Sequence, residues 1–236
     1  MNIIDYTKYF KKPANKGRRH CKLFPKNIFC VIAGSTGSGK TNLMLHLLKS
    51  KELLSYSDVH IYCSTLYQQA YEHLTEYFQK LEHFIKIKSG EDIKIIHFYD
   101  VEDDIINPSM LNKDQHHIII FDDVMLNDQK IVREYFCKGR HNNVSVFYLC
   151  QSLFKIAKHC IRDNANIFIL FRQDDKTLKY FHETRISGDM NFEELKKFCD
   201  ESWTKHGFVV FNIWEDAYSG RYFSNYKKIY IPKKYL

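Results

Sequence analysis

The sequence predicts an α/β fold in which helices cover both faces of a largely parallel β-sheet, followed by a C-terminal β-hairpin. Short apolar, β-branched or aromatic runs alternate with longer amphipathic stretches, a pattern typical of parallel strands joined by helices. Several of these runs are apolar on both faces, as strands enclosed between two helical layers require. Near the C-terminus the pattern changes to strand-like pairs without a helix between them.

Six segments fit the parallel strands. Each has five or six residues and is rich in β-branched or aromatic side chains. They cover Ile28–Ala33, Val59–Cys63, Ile95–Tyr99, His117–Phe121, Val144–Leu149 and Ile167–Phe171. Their length is that of ordinary buried strands.

Six amphipathic segments between and after these strands predict helices. They cover Lys40–Ser50, Gln68–His83, Asp128–Lys138, Leu153–Asp163, Lys176–Arg185 and Asn191–Lys205. The last begins with Asn191 and carries Glu194 three positions later, the signature of a capped helix start. After it, Phe208–Ile213 and Arg221–Tyr230 flank the turn residues 217–220 and predict the terminal hairpin.

Composition indicates one folded domain. The chain has 236 residues, of which 44% are hydrophobic and 27% charged, enough apolar material to form a core and too much for a disordered segment. No apolar run approaches the roughly 20 residues of a membrane span, and no signal-peptide segment opens the chain. We therefore expect an intracellular protein without a membrane partner.

Basic residues are concentrated near the N-terminus. The formal net charge is +7, and the segment from Lys8 to Lys26 carries eight basic residues and no acidic one. We divide the chain into a basic N-terminal arm, residues 1–22, and a folded domain, residues 23–236. Such an arm can neutralise nucleic-acid phosphates, or it can be a solvated extension.

The strongest motif is a glycine-rich phosphate-binding loop, the P-loop. It has the form G-x-x-x-x-G-K-[ST] and consists of Gly34, Ser35, Thr36, Gly37, Ser38, Gly39, Lys40 and Thr41, with Asn42 in the first helical turn after it. A predicted strand precedes the loop and an amphipathic helix follows it, the context that the motif needs. Backbone N–H groups and the helix N-terminus would bind the phosphates, Lys40 would reach the β- and γ-phosphates, and Thr41 would offer its hydroxyl to Mg²⁺.

A second motif has the form of a Walker B element. The strand His117–Phe121 is followed by Asp122 and Asp123. Asp122 would hold Mg²⁺ together with Thr41, and Asp123 would activate the attacking water. Many such ATPases carry Glu at the second position, so Asp123, one methylene shorter, either holds the water closer or is not the base.

A third candidate is Gln151, directly after the strand Val144–Leu149 and Cys150. In the additional-strand, RecA-like class of P-loop ATPases, one strand lies between the P-loop strand and the Walker B strand. A polar residue at its end then points at the γ-phosphate. An amide there can bind water or phosphate without titrating, although an ordinary strand-end residue remains an alternative.

These motifs together resemble a known class. The P-loop, the segment IIIFDDV about 80 residues later and the segment GRHNNVSVFYLCQS, residues 139–152, resemble the FtsK–HerA class of motor ATPases, specifically viral genome-packaging ATPases of the poxvirus, virophage and polinton type. The resemblance covers about residues 24–173. Asp123 departs from the Glu that cellular members tend to carry.

The resemblance implies a function that composition and spacing do not reach. It implies a homo-oligomeric ring, a pentamer or hexamer, that hydrolyses ATP with Mg²⁺ and translocates double-stranded DNA into a viral capsid at its portal vertex. The place of work would be the host cytoplasm, a virus factory or the virion. It also indicates Arg140 as the arginine that completes a neighbouring subunit's site, although a surface or fold-stabilising role for Arg140 remains an alternative. Arg172 is the second candidate because it lies at the tip of the following strand, and strand tips gather around the nucleotide.

Two other functions remain open from the sequence. A P-loop kinase would need an arginine-rich lid, and the eight arginines of the chain form no cluster at the middle of the fold. A nucleotide-dependent switch would bind without rapid turnover. No Cys-x-x-Cys pair and no His-Glu-x-x-His motif occurs among the seven cysteines and twelve histidines, so spacing does not indicate a zinc site.

Overall fold

The structure is a computed structural model, and it describes residues 20–50, 52–100, 105–124, 129–226 and 228–236. The side chains of Lys155 and Lys158 are outside the description. Most of the basic arm, up to residue 19, therefore lies outside the described residues, and so does the predicted helix start at Asp128.

A nine-stranded sheet organises the fold. The strands are β1 Phe29–Ala33, β2 Asp58–Cys63, β3 Ile96–Asp100, β4 His117–Asp122, β5 Val144–Cys150, β6 Ile167–Phe171, β7 Phe208–Asn212, β8 Tyr222–Ser224 and β9 Lys228–Tyr230. Their order is β3-β2-β4-β5-β1-β6-β7-β8-β9. The first six positions in this order are parallel, and β7, β8 and β9 add antiparallel pairs. The predicted α/β class with a mainly parallel sheet is confirmed, and β5 lies between β4 and β1 as in the additional-strand class.

Helices cover both faces of the sheet because alternate strand residues point to opposite sides. They are α1 Lys40–Lys49, α2 Gln69–Ser89, α3 Lys130–Lys138, α4 Asp175–Phe181 and α5 Phe192–Ser202. One core contains Val31 of β1 with buried residues of α3, α4 and α5, and the other contains Ile32 with buried residues of α1 and α2. At α5 the Asn191 side chain accepts a hydrogen bond of 2.9 Å from the backbone N–H of Glu194, which confirms the predicted cap.

The predicted helix over Leu153–Asp163 is wrong. A 3₁₀ turn, Leu153–Lys155, and a π turn, Lys158–Arg162, occupy this segment. Ile156 between them is extended, with φ −77° and ψ 141°. Leu153, Ile156 and Ile161 are all buried, so their spacing mimics a helical apolar face although two separate turns place them in the core.

The C-terminal hairpin forms, but its second arm is not one strand. The stretch predicted as Arg221–Tyr230 splits into β8 and β9. Asn225 makes the turn with φ 54°, a left-handed conformation that Asn tolerates better than most residues. Its backbone N–H donates to the Phe208 carbonyl at 2.9 Å, and its side chain accepts from the Phe208 N–H at 3.2 Å. The hairpin therefore becomes a three-stranded antiparallel extension of the sheet.

None of the helices in the described ranges combines the length and the apolar character that crossing a bilayer needs.

Candidate nucleotide-binding site

The candidate site lies at the carboxyl ends of the parallel strands, which is the edge of the sheet meant below as the nucleotide edge. The Gly34 N–H, directly after β1, donates to the Cys150 carbonyl of β5 at 3.1 Å. The Asp123 N–H, directly after β4, is 3.4 Å from the Leu149 carbonyl of the same strand. Strand β5 thus fixes the P-loop and the Walker B carboxylates next to each other.

The P-loop requires glycine where its backbone is closely packed. A Cβ added to Gly34 would lie 2.6 Å from Ser38 Oγ and 2.7 Å from the Cβ of Phe171 in β6, too close for any side chain to fit. Gly39 precedes α1 with φ 110°, a conformation that glycine adopts with little cost. The loop can therefore follow this path only with glycine at these positions.

Lys40 extends back along the loop. Its Nζ donates to the carbonyls of Gly34 at 2.7 Å and Ser35 at 3.0 Å. Burial lowers the pKa of the Lys40 ammonium, and the nearby charge of Asp122 opposes this effect. The ammonium is thus held inside the loop that would surround a phosphate group.

Ser38 supports an anion site within the loop. Its Oγ is buried and has no hydrogen-bond partner among the described residues. An unsatisfied buried hydroxyl is costly unless a ligand or water completes it. Ser35, Thr36 and Gly37 are exposed at the tip of the loop, and Asn42 is exposed in the first turn of α1, so the loop is accessible to a nucleotide.

Asp122, the last residue of β4, is a buried carboxylate with two hydroxyl donors. Its Oδ2 accepts from Thr41 Oγ1 at 3.3 Å and from the Tyr71 hydroxyl at 2.5 Å. Burial raises the pKa of Asp122, and the hydrogen bonds from Tyr71 and Thr41 partly offset this. A hydroxyl and a carboxylate are hard oxygen donors of the kind that Mg²⁺ prefers, so Thr41 and Asp122 fit the predicted metal position.

Asp123 projects from a left-handed turn. Its φ is 57°, and its side chain is exposed. Gln151 Nε2 lies 3.4 Å from each of the Asp123 carboxylate oxygens. The structure thus brings Gln151, Asp123 and the P-loop to one edge of the sheet, as the motif order predicts.

The two candidate arginines lie at opposite ends of the parallel strands. Arg140 is exposed in the 3₁₀ turn Gly139–Asn142 before β5, and its carbonyl accepts from Asn27 Nδ2 at 3.0 Å. The whole length of β5 separates Arg140 from the nucleotide-binding end of the sheet. This strand has seven residues, and each adds about 3.3 Å. Arg172, also exposed, follows β6 at the nucleotide edge.

Sequence reasoning missed three residues around the loop. Tyr71 of α2 donates to Asp122, and Gln173 Nε2 donates to the Ala33 carbonyl at the end of β1 at 3.3 Å. His206 Nδ1 lies 3.3 Å from the Ser38 carbonyl. None belongs to a motif, and only the packing of α2 and the loops after β6 and α5 places them there.

The fold and the site together define a P-loop nucleoside triphosphatase of the additional-strand class. A glycine-rich loop joins β1 to α1, two carboxylates lie at the end of β4, and β5 lies between β1 and β4. Within that class the chain belongs to the family described as "Poxvirus A32 protein", whose profile matches residues 18–198. The predicted relation to the poxvirus type of packaging ATPase is thereby confirmed.

Solved structures share the fold. The crystal structure of B204, the DNA-packaging ATPase from Sulfolobus turreted icosahedral virus, has 19% sequence identity and a TM-score of 0.53, over 80% of this chain and 93% of that chain. The genome packaging NTPase B204 from Sulfolobus turreted icosahedral virus 2 in complex with sulfate has 14% identity and a TM-score of 0.52, over 80% and 93%. Its complex with AMP has 13% identity and the same TM-score, over 80% and 94%. No curated protein sequence matches the chain.

Proposed function

We propose that this protein is an ATP-hydrolysing motor that translocates double-stranded DNA and packages a viral genome into a capsid. The observation that carries the proposal is the convergence of Lys40, Thr41, Asp122, Asp123 and Gln151 at one edge of the sheet, in a chain of the poxvirus A32 family. B204, which shares the fold, is described as a DNA-packaging ATPase.

The loop residues bind the triphosphate. Ser38 Oγ, buried without a partner in the described chain, completes its hydrogen bonding on a phosphate oxygen. Lys40 Nζ, which donates to the loop carbonyls of Gly34 and Ser35, exchanges these acceptors for phosphate oxygens of greater negative charge. Charge-assisted hydrogen bonds of this kind are stronger than bonds to neutral carbonyls.

Thr41 and Asp122 hold Mg²⁺, which neutralises charge on the β- and γ-phosphates when bound. Tyr71 acts as a positioning residue because its hydroxyl fixes the carboxylate of Asp122. Such partners of metal ligands determine ligand orientation and basicity.

Asp123 accepts a proton from the attacking water, and Gln151 orients that water or the γ-phosphate. The amide of Gln151 is 3.4 Å from both carboxylate oxygens of Asp123. A shift in the position of one side chain can therefore move the other. This contact offers a route by which γ-phosphate loss reaches β5.

The working unit is a homo-oligomeric ring, a pentamer or hexamer, around double-stranded DNA at the portal vertex of a capsid. An exposed arginine, Arg140 or Arg172, completes the site of the neighbouring subunit. The basic arm, residues 1–22, contacts DNA phosphates. This work takes place in the host cytoplasm or a virus factory, or at the virion.

A DNA-dependent hydrolysis assay tests this function. Phosphate release by the full chain is measured with Mg²⁺ and ATP, with and without duplex DNA, and with Lys40→Ala as the inactive control. Stimulation by duplex DNA is the expected result. Hydrolysis that DNA does not change, or transfer of the γ-phosphate to a small acceptor, would replace the motor with a switch or a kinase.

A further inference from the structure

Three side chains of types that can bind a metal meet on β2 and β3. Asp58 begins β2, and His60 pairs across the strands with His97 of β3. One ligand atom from each of these three residues lies within 4.8 Å of the others. The sequence alone gives no hint of this cluster, because the histidines are 37 positions apart and only the strand register joins them.

His60 provides a buried nitrogen that points into the cluster. The residue is 6% exposed, and its Nε2 makes no hydrogen bond within the described ranges. Asp58 Oδ2 lies 3.5 Å from this nitrogen. At this distance the two groups form a long ion pair instead of a full hydrogen bond, and a cation between the two atoms would bind both.

The second polar atom of His60 and that of Asp58 already have hydrogen-bond partners. His60 Nδ1 is 3.1 Å from the Tyr99 hydroxyl, and Asp58 Oδ1 is 2.6 Å from His117 Nδ1. His117 in turn is fixed through Nε2, 2.8 Å from the Asn112 carbonyl. Metal-binding histidines and carboxylates ordinarily have such partners, which orient them.

Binding requires one ring to turn. The rings of His60 and His97 are stacked, with centroids 4.8 Å apart and planes 11° from parallel, so they do not yet direct two nitrogens at one point. His97 is only half-buried on the edge strand β3, and the terminal torsion of a histidine side chain is broad. Its rotation can bring the ligand atoms to the closer spacing around an ion with bonds of about 2.0–2.2 Å.

We propose that Asp58, His60 and His97 bind a divalent transition-metal cation, with zinc as the best match. Two imidazoles and one carboxylate suit zinc and leave a further position for water. Mg²⁺ takes oxygen ligands and is excluded by the two nitrogens. The ion fastens the edge strand β3 to β2, and the proposal does not depend on ATP hydrolysis.

Zinc titration of the metal-stripped full chain, without nucleotide, tests the site by calorimetry. We expect one zinc ion per chain and a higher unfolding temperature with zinc. The variant His97→Gln should bind at least about tenfold more weakly. His73→Gln, at an exposed position of α2, is the matched control and should bind like the wild type.

Two further measurements keep the test decisive if a variant is destabilised. Asp58→Asn should also weaken zinc binding, and circular dichroism of each zinc-free variant reports whether it is folded. Cobalt in place of zinc should give the visible spectrum of nitrogen and oxygen ligands, without a thiolate charge-transfer band. The proposal fails if the wild type binds no zinc, if folded His97→Gln binds as well as His73→Gln, or if the cobalt spectrum shows thiolate ligands.

Discussion

The Tyr71 hydroxyl and the Thr41 hydroxyl donate to the same oxygen of Asp122, Oδ2. Tyr71 comes from α2, whereas Thr41 comes from the P-loop helix α1. The buried carboxylate is therefore fixed from two helices on the same face of the sheet. Tyr71 should influence metal binding without touching the nucleotide.

Replacing Tyr71 with Phe removes this donor and keeps the ring. We expect the Mg²⁺ concentration for half-maximal hydrolysis to rise about tenfold or more, the usual cost of losing a partner of a metal ligand. Steady-state hydrolysis at increasing Mg²⁺ measures it. Tyr77→Phe is the control, because Tyr77 is on the same helix and its ring packs on Phe78; equal Mg²⁺ dependence in both variants would remove the positioning role.

Gly34→Ala should damage nucleotide binding. The new methyl would lie 2.7 Å from the Cβ of Phe171, and such overpacking costs about 1–3 kcal/mol. If this free energy is lost in full from nucleotide binding, the affinity for ATP falls roughly 5- to 150-fold. Gly188→Ala is the matched control because a Cβ there meets no described atom within 4 Å. Unchanged ATP affinity in Gly34→Ala would contradict the role of this close approach.

Asp123→Asn separates binding from hydrolysis. An amide cannot accept the proton of the water, so the rate should fall by a factor on the order of 10² or more, while ATP binding persists. Asn tolerates the left-handed backbone, φ 57° at this position, so the turn is kept. A variant that hydrolyses ATP normally would move the base elsewhere and leave only Asp122 with a role, in metal binding.

The trans arginine can be found by mixing inactive subunits. Arg140→Ala mixed with Lys40→Ala should recover part of the hydrolysis, because some interfaces then join an intact P-loop to an intact arginine. The same mixture with Arg172→Ala compares the second candidate. Arg140 is excluded if Arg140→Ala is fully active alone, or if mixed rings form and no activity returns.

Local motifs predicted which residues come together at the candidate site, since the P-loop, Asp122 and Gln151 each follow a strongly apolar strand. The order of the strands in the sheet then brings these residues together. Right-handed connections between parallel strands limit the possible orders. Tyr71 and the cluster of His60 and His97 could not be predicted, because their positions depend on helix packing and strand register. The split at Asn225 was missed because a single left-handed residue has little effect on an otherwise strand-like pattern.

The proposed motor must move along DNA, and displacement of a third strand from a DNA triplex detects that movement. The full chain is incubated with Mg²⁺, ATP and a duplex that carries a fluorescent triplex-forming strand. We expect ATP-dependent release of that strand by the wild type and no release by Lys40→Ala. Hydrolysis stimulated by DNA with the third strand left in place would contradict it, because the protein would then consume ATP on DNA without translocating.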